Sequence, residues 1–255
     1  MPLFTRMCRV ALLCVVSLSV AACAVPDSGP GVVDGVYDPY EDRNRRVHRF
    51  NRNLDRNIVR PAAIGYSAAL PDEVEDSIGH FAANLGEPSV AVNSLLQGDL
   101  RGAGVSTVRF LTNSTIGLLG FFDAATELKL PPHDTDFGET LFVWGVGEGA
   151  YLELPVLGPS TSRNTVGKVV DLFTNPLTYV LDSPEAYYGT IAGVAAGLGT
   201  RGRFSDTVDS ILYDSADSYA QARLIYLQNR RFKLGDNQSA QAQEIDPFAL
   251  DTRGF

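Results

Sequence analysis

The sequence predicts a mainly α-helical fold in a single compact domain, and three patterns support this. The first lies in residues 41–60, where apolar side chains recur at spacings of three and four and therefore share one helix face. The residues of that face are Val47, Phe50, Leu54 and Ile58. Similar patterns cover residues 88–112 and 215–232. No internal repeat divides residues 38–234, so we expect one domain of amphipathic helices there.

The composition excludes several classes of protein. The chain has 255 residues, of which 45% are hydrophobic and 20% charged, which is typical of a globular protein and not of a disordered one. A mean hydropathy near zero argues against a polytopic membrane protein. A formal net charge of −9 argues against a dedicated nucleic-acid binder, because such a protein must neutralise phosphates.

The N-terminus has the pattern of a bacterial export signal. In residues 1–22, Arg6 and Arg9 precede an apolar stretch that is too short to span a membrane. The sequence Val20-Ala21-Ala22-Cys23 resembles a lipobox, which predicts cleavage before Cys23 and acylation of its thiol. The alternative is an ordinary signal peptide with a cysteine there by chance. Ala24, where inner-membrane lipoproteins tend to have aspartate, favours sorting to the outer membrane.

Two segments flank the predicted domain. Residues 23–37 contain three glycines and two prolines and are predicted to tether the acylated cysteine to the domain. Residues 235–255 are polar and are predicted to form a loosely ordered tail. Removal of residues 1–22 changes the formal net charge from −9 to −11 and leaves Cys23 as the last cysteine. This excludes a cysteine nucleophile and a cysteine-based metal site in the mature chain.

The first predicted helix is strongly basic. Residues 41–60 contain seven arginines against three acidic residues, a local net charge of about +4 in an acidic protein. The arginines are Arg43, Arg45, Arg46, Arg49, Arg52, Arg56 and Arg60. Near a membrane, such a helix is expected to contact phospholipid headgroups. The alternative is a surface helix whose basic face is merely solvated.

The centre of the chain predicts further helices and one extended piece. Asn113 or Ser114 is expected to cap a short apolar helix over residues 116–122. Residues 141–157 favour a short extended segment, whereas 215–232 are predicted to end as a helix with basic residues in the last turn.

Residues 183–200 predict a glycine-rich helix. Ser183 is a plausible N-cap and Pro184 suits the first helical position. Gly189, Gly193 and Gly197 lie on one face, where they permit close approach of another backbone, as in helices packed in lipid. About 15 residues give a helix of roughly 22 Å, too short to cross a bilayer core of about 30 Å. The helix is therefore expected to lie in one leaflet, to line a cavity, or to be a buried core helix.

No catalytic motif is visible in the sequence. His48, His80 and His133 have no second ligand at helical spacing, and residues 133–136 are more typical of a turn than of a metal site. Residues 158–162 lack the second glycine of a serine nucleophile elbow. We therefore expect no enzyme activity, no metal and no cofactor apart from the covalent lipid on Cys23.

Several longer motifs follow one another in order along the predicted domain. Its opening contains Asp38-Pro39-Tyr40-Glu41, Phe50-Asn51, Asp55, Arg60-Pro61 and Tyr66. Its centre contains residues 81–100, 103–125 and 133–167, including Arg163 after the GPST stretch, and its last helix contains Tyr219, Arg223, Tyr226 and Gln228. In this order, the motifs resemble those of the MlaA (VacJ) family of lipoproteins. The arginine-rich first helix departs from what we expect of the family and leaves the headgroup preference open.

The resemblance implies a ring-like helical platform embedded in the periplasm-facing leaflet of the outer membrane, with a central channel. It implies a passive conduit that removes mislocalised phospholipids from the outer leaflet. The implied partners are phospholipid, a trimeric porin and a soluble MlaC-like periplasmic carrier that delivers lipid to an inner-membrane, ATP-driven complex; nucleic acid is not among them.

We assign site candidates within this framework. Cys23 is the acylation site, and Phe50 and Asn51 are candidates for the membrane platform. The helix-packing candidates are Gly189, Gly193 and Gly197, and the candidates for a mobile loop near the channel are Gly145, Gly147 and Gly149. For each residue after Cys23, the alternative is ordinary packing or a turn. Two other functions compete with transport: a scaffold lipoprotein that binds porin or cell wall, and a tethered lipid hydrolase.

Overall fold

The computed structural model describes residues 32–33 and 36–235. The predicted signal peptide 1–22, Cys23, most of the tether and all but the first residue of the predicted tail lie outside the described residues.

The described chain is mainly α-helical, as the sequence predicts. The helices, in chain order, are α1 Glu41–Leu54, α2 Arg60–Ala69, α3 Asp72–Gln97, α4 Leu100–Thr115, α5 Ala124–Glu127, α6 Phe137–Val143, α7 Ser162–Thr174, α8 Leu177–Val180, α9 Tyr188–Arg203, α10 Ser205–Asp209 and α11 Ser218–Lys233. π-Helical turns at Asp55–Val59 and Ser210–Asp214 continue α1 and α10, and a 3₁₀ turn at Glu185–Tyr187 precedes α9. The strands are β1 Val32–Val33, β2 Val36–Tyr37, β3 Tyr151–Leu154 and β4 Gly158–Thr161.

The long helices α3 and α4 form a hairpin. Helix α3 ends at Gly98, whose φ of +80° is the left-handed conformation that glycine adopts without steric cost. The next residue, Asp99, begins α4 by accepting a hydrogen bond from the Gly102 backbone N–H at 2.9 Å. Helix α9 packs across α2 and α3, and α6 packs on α7. This arrangement surrounds α3 with other helices.

A two-stranded antiparallel hairpin lies against α1. Tyr151 pairs with Thr161, and Leu154 pairs with Gly158. The Asn44 side chain of α1 donates to the Tyr151 carbonyl at 3.0 Å and accepts from the Glu153 N–H at 3.0 Å. The predicted extended segment is therefore present, but it begins at Tyr151, because the earlier residues 141–143 complete α6.

Burial is reversed relative to a water-soluble domain. The buried side chains are largely polar or charged, with Asn93 1% and Arg109 3% exposed, while the small apolar core is made mostly of alanines and tyrosines. Large apolar residues are exposed on many helices, and Leu172 and Val180 are 70% and 76% exposed. Water-soluble proteins rarely expose apolar surface on this scale.

The first helix shows this reversal clearly. Its predicted apolar residues do share a face, but Phe50 is 52% and Ile58 is 61% exposed. The buried side of α1 is polar and includes Asn44 and His48. Periodicity correctly located the helix, but it did not determine which face would be buried.

Two local predictions were wrong. Residues 116–122 are not a helix, because Leu118, Leu119 and Gly120 all have positive φ, and consecutive left-handed residues cannot continue a right-handed helix. Asn113 does not cap that segment; its side-chain oxygen accepts a hydrogen bond from Ala125 N–H at 2.8 Å instead. Helix α9 begins at Tyr188, and so Ser183 is not its N-cap and Pro184 is not its first residue; Pro184 precedes the 3₁₀ turn instead.

Candidate lipid-contacting surface and polar interior

The exposed apolar surface comes from short segments separated in sequence. The apolar turn 116–122 exposes Ile116, Leu118, Leu119 and Phe122. Helix α7 exposes Val169, Leu172 and Phe173, and α9 exposes Ile191 and Val194. In the part of the chain that the structure describes, no helix is both long enough and apolar enough to cross a membrane.

Arg109 is the centre of a buried ionic network. Its Nε donates to Glu87 Oε1 at 2.7 Å, and its Nη2 donates to both Asp123 oxygens at 3.2 Å. Its Nη1 donates to the Leu130 carbonyl at 2.5 Å and to Thr126 Oγ1 at 3.2 Å. One guanidinium therefore joins α3, α4, α5 and the segment after α5.

The environment of Asp123 favours its charged form. Burial raises the pKa of this carboxyl, but hydrogen bonds from Thr126, Asn113 and Arg109 outweigh burial and lower the pKa of Asp123 to about 2. Asp123 therefore keeps its charge at every physiological pH.

A second polar junction joins α3, α6 and α7. The Asp171 carboxylate accepts hydrogen bonds from Asn93 Nδ2 at 3.0 Å and from the Phe137 backbone N–H at 3.1 Å. Gly167 lies against the start of α6, where a Cβ would be 2.6 Å from Gly138 Cα. Glycine is therefore required at position 167 for the two helices to approach each other.

Asn51 fixes the β3–β4 hairpin to α1. Its Nδ2 donates to the Leu154 carbonyl at 2.9 Å, and its Oδ1 accepts from Val156 N–H at 2.8 Å. Val156 has a φ of +68°, so this hydrogen bond supports a strained turn. A cavity of about 250 Å³ beside Asn51 is lined by residues that include Arg52 and Leu212. The neighbouring Phe50 points outward, which places the two predicted platform residues on different sides of α1.

The structure also brings together a serine, a histidine and a glutamate that are far apart in sequence. Ser218 Oγ lies 3.0 Å from His48 Nε2, and His48 Nδ1 lies 3.4 Å from Glu153 Oε1. All three residues are buried. The Glu153 carboxylate also accepts a hydrogen bond from the Tyr151 hydroxyl at 2.7 Å. The cluster therefore ties α1, β3 and α11 together.

The cluster has the order of a hydrolase triad, but access to its serine is restricted and a nearby backbone donor is already occupied. Ser218 is only 7% exposed, so the approach of a scissile ester to its hydroxyl is restricted. The nearby Ala220 N–H at the start of α11 donates to Asp217 Oδ1 at 3.1 Å, and so it is not available to stabilise an oxyanion. Sequence reasoning missed the cluster because residues 48, 153 and 218 have no local spacing signal.

Comparison with known proteins identifies the family. The model of the MlaA lipoprotein family matches residues 36–233, which is most of the chain. The chain belongs to the MlaA lipoprotein family. It is 34% identical to the Escherichia coli protein named intermembrane phospholipid transport system lipoprotein MlaA, over 86% of this chain and 89% of that protein. The Haemophilus influenzae protein of the same name is 33% identical, over 82% of this chain and 84% of that protein.

Two further comparisons agree with the family. A Rickettsia felis protein is 42% identical over 56% of this chain, and the match spans 58% of that protein, less than two thirds of its length. A solved structure concerned with the structural basis for maintenance of bacterial outer membrane lipid asymmetry has a TM-score of 0.66 and 32% identity. That match covers 77% of this chain and 98% of the other.

The predicted loop glycines of this MlaA-family chain lie between α6 and β3. Gly145 has a φ of +85° and Gly149 a φ of +74°, so both positions favour glycine. The intervening residue Glu148 accepts from Arg231 at 2.8 Å, and Arg163 Nη1 donates to the Val146 carbonyl at 3.0 Å. The loop that contains Gly145, Gly147 and Gly149 is thus held at two points, and its mobility stays a prediction.

The three predicted packing glycines of α9 do not make its close contacts. A Cβ at Gly193 or Gly197 would meet no atom of the described residues within 4 Å, and one at Gly189 would make an ordinary contact with Leu85 at 3.7 Å. The close approach is at Gly202 instead, where a Cβ would lie 2.8 Å from the Ala63 carbonyl oxygen. The prediction that Gly193 and Gly197 pack closely against another backbone is therefore wrong within the described residues, where they lie on an open helix face. Contact of this face with lipid or with a partner stays a prediction.

Proposed function

We propose that this chain is an outer-membrane lipoprotein that removes mislocalised phospholipids from the outer leaflet and passes them to a periplasmic lipid carrier. The observation that supports this most directly is the reversed burial, with apolar side chains outside and polar side chains inside. A phospholipid that moves through a membrane needs this arrangement, because leaving its phosphate in hydrocarbon is costly. The names of the E. coli and H. influenzae relatives agree with it.

The proposed placement is the periplasm-facing leaflet. The short segments that expose apolar residues suit burial in one leaflet. Acylation of Cys23 would anchor the chain there, and the helices would form a ring-like platform around a central channel. In this arrangement the exposed apolar residues contact acyl chains, while headgroups follow the polar interior.

The proposed partners are a trimeric outer-membrane porin, which would hold the platform in place, and an MlaC-like carrier, which would receive the lipid. The chain itself would be a passive conduit without enzyme activity. The restricted access to Ser218 and the occupied Ala220 N–H support a conduit over a hydrolase. Purified protein incubated with phospholipid should therefore release neither lysophospholipid nor fatty acid, and their release would refute this part.

Surface phospholipid in a deletion strain tests the transport proposal. Added phospholipase acts on intact cells and reports phospholipid in the outer leaflet. We expect the signal to rise on deletion and to fall again with the wild-type gene but not with Cys23→Ala. No change on deletion would reject transport and favour the scaffold alternative.

The platform role of Asn51 has a separate test in the same strain. Deletion of Asn51 removes its three hydrogen bonds to the β3–β4 hairpin and should impair transport at a normal protein level. Unchanged transport in that variant would reject the platform role and leave the proposed function in place.

A further inference from the structure

Helix α7 has an outer and an inner side. Val169, Leu172 and Phe173 are exposed on the outer side. The inner side includes Asn164 and Gly167, both buried, and Asp171, which is bonded to α3 and α6. Lys168 comes four residues after Asn164 and three before Asp171, and so it belongs to the inner side.

The Lys168 amine is half-buried and has no hydrogen bond or ion pair in the described part of the chain. The charged groups that influence it are Asp136, the N-cap of α6, Arg230 of α11 and Glu153 of β3. Lys168 therefore lies on the inner side of α7, within electrostatic reach of charged groups from three other parts of the fold.

The carboxylates near Lys168 already have other partners. Arg230 donates to the two Asp136 oxygens at 2.6 and 2.8 Å. Glu153 accepts hydrogen bonds from the Tyr151 hydroxyl at 2.7 Å and from Asn51 Nδ2 at 3.2 Å. Among the residues that the structure describes, the positive charge of Lys168 is thus left without a dedicated counter-charge.

An unpaired, half-buried cation destabilises a folded protein. Burial lowers the pKa of the Lys168 amine, and Arg230 lowers it further, whereas Asp136 and Glu153 act in the opposite direction without restoring it. A charged side chain that is partly buried without a partner, and so adds no stability, is expected at a functional site. A free ammonium on a flexible stem is also a common partner for phosphate.

We propose that Lys168 binds the phosphate of a phospholipid headgroup in the polar interior and favours lipids whose headgroup carries net negative charge. This inference rests on the proposed function and adds to it a site and a lipid preference. The phosphodiester oxygens of a lipid would provide the negatively charged partner for the Lys168 ammonium. In a zwitterionic headgroup, the lipid's own amine would compete with Lys168 for these oxygens.

Site-specific amine labelling tests the proposal on the full-length, detergent-solubilised protein. The chain has three lysines, Lys129, Lys168 and Lys233, and mass spectrometry after acetylation reads each one separately. We expect phosphatidylglycerol to protect Lys168 several-fold, and phosphatidylethanolamine to protect it less. Lys129 is exposed and Lys233 is paired with Asp134 at 2.6 Å, so neither should change. Absence of protection, or protection by inorganic phosphate equal to that by phosphatidylglycerol, would overturn a lipid site.

Lipid that copurifies with variants provides a second measurement. Lys168→Met keeps an unbranched side chain of similar length and removes its charge, so bound phosphatidylglycerol should fall roughly tenfold through loss of a charge-assisted hydrogen bond. Lys168→Arg should retain most of it, and Lys129→Met is the matched surface control. An unchanged amount with Lys168→Met would refute the site.

Complementation of the deletion strain separates this inference from the proposed function. Failure of the wild-type gene to lower surface phospholipid rejects transport itself. If the wild-type gene works and Lys168→Met works equally well, transport stands and the role of Lys168 is wrong. We expect Lys168→Met to complement poorly while its melting temperature stays equal to or above that of the wild type, because the variant removes a half-buried charge that has no partner among the described residues.

Discussion

Replacement of Arg109 by alanine should severely destabilise the fold. The Arg109 side chain is 4% exposed and that of its partner Glu87 is 7% exposed. The variant removes the hydrogen bonds to Glu87, Asp123, Thr126 and the Leu130 carbonyl, and it leaves the Glu87 carboxyl group buried and without its cation.

The expected loss follows from this geometry. Removal of one partner of a buried ion pair costs about 3–5 kcal/mol, mainly because the remaining charge is uncompensated. Domains are stable by about 5–15 kcal/mol, so the loss is a large share of the total. For a chain of this length, about 4 kcal/mol corresponds to a fall in melting temperature of roughly 8–16 °C.

Thermal and urea unfolding in detergent, followed by far-ultraviolet circular dichroism, measure this effect. The control is Lys233→Ala, which removes an exposed ion pair with Asp134 and should cost at most about 1 kcal/mol. Glu87→Ala combined with Arg109→Ala should recover part of the loss, because it removes the uncompensated carboxylate. A loss below about 1 kcal/mol for Arg109→Ala would refute the role of the network.

Three further predictions concern single residues. Because the pKa of Asp123 is lowered to about 2, the folded state keeps this carboxylate charged at pH values where the unfolded chain binds a proton. The stabilisation from Asp123 is complete above about pH 4 and is lost as the pH falls towards 2. Asp123→Asn should therefore make the stability depend less on pH in this range, and an unchanged profile would contradict the lowered pKa. Gly167→Ala should destabilise the fold because its Cβ would overlap the start of α6. Gly193→Ala should instead stabilise α9 by about 0.5–1 kcal/mol in unfolding experiments. Equal effects of the two substitutions would show that the two glycine environments do not differ as described. Asn51→Ala should increase protease cleavage at 155–157 because the β3–β4 hairpin loses two backbone hydrogen bonds and one side-chain hydrogen bond to Asn51. An unchanged cleavage rate would exclude that anchoring role.

The sequence was sufficient where the signal is local. Spacings of three and four located α1, and the basic last turn of α11 was predicted from Arg230 and Arg231. Longer ordered motifs were specific enough to indicate the family. Local signals failed at residues 116–122, where an apolar run suggested a helix but the backbone takes successive left-handed conformations.

Only the tertiary structure decided what each helix face contacts. The pattern of Val47, Phe50, Leu54 and Ile58 is the same whether the face packs on a core or meets lipid, because periodicity records the position of apolar residues and not the solvent around them. The meeting of His48 with Ser218 and the isolation of Lys168 depend on elements distant in sequence, which no local spacing records. The sequence by itself therefore determined the helices and the family, while packing determined that the polar faces turn inward and the apolar faces outward.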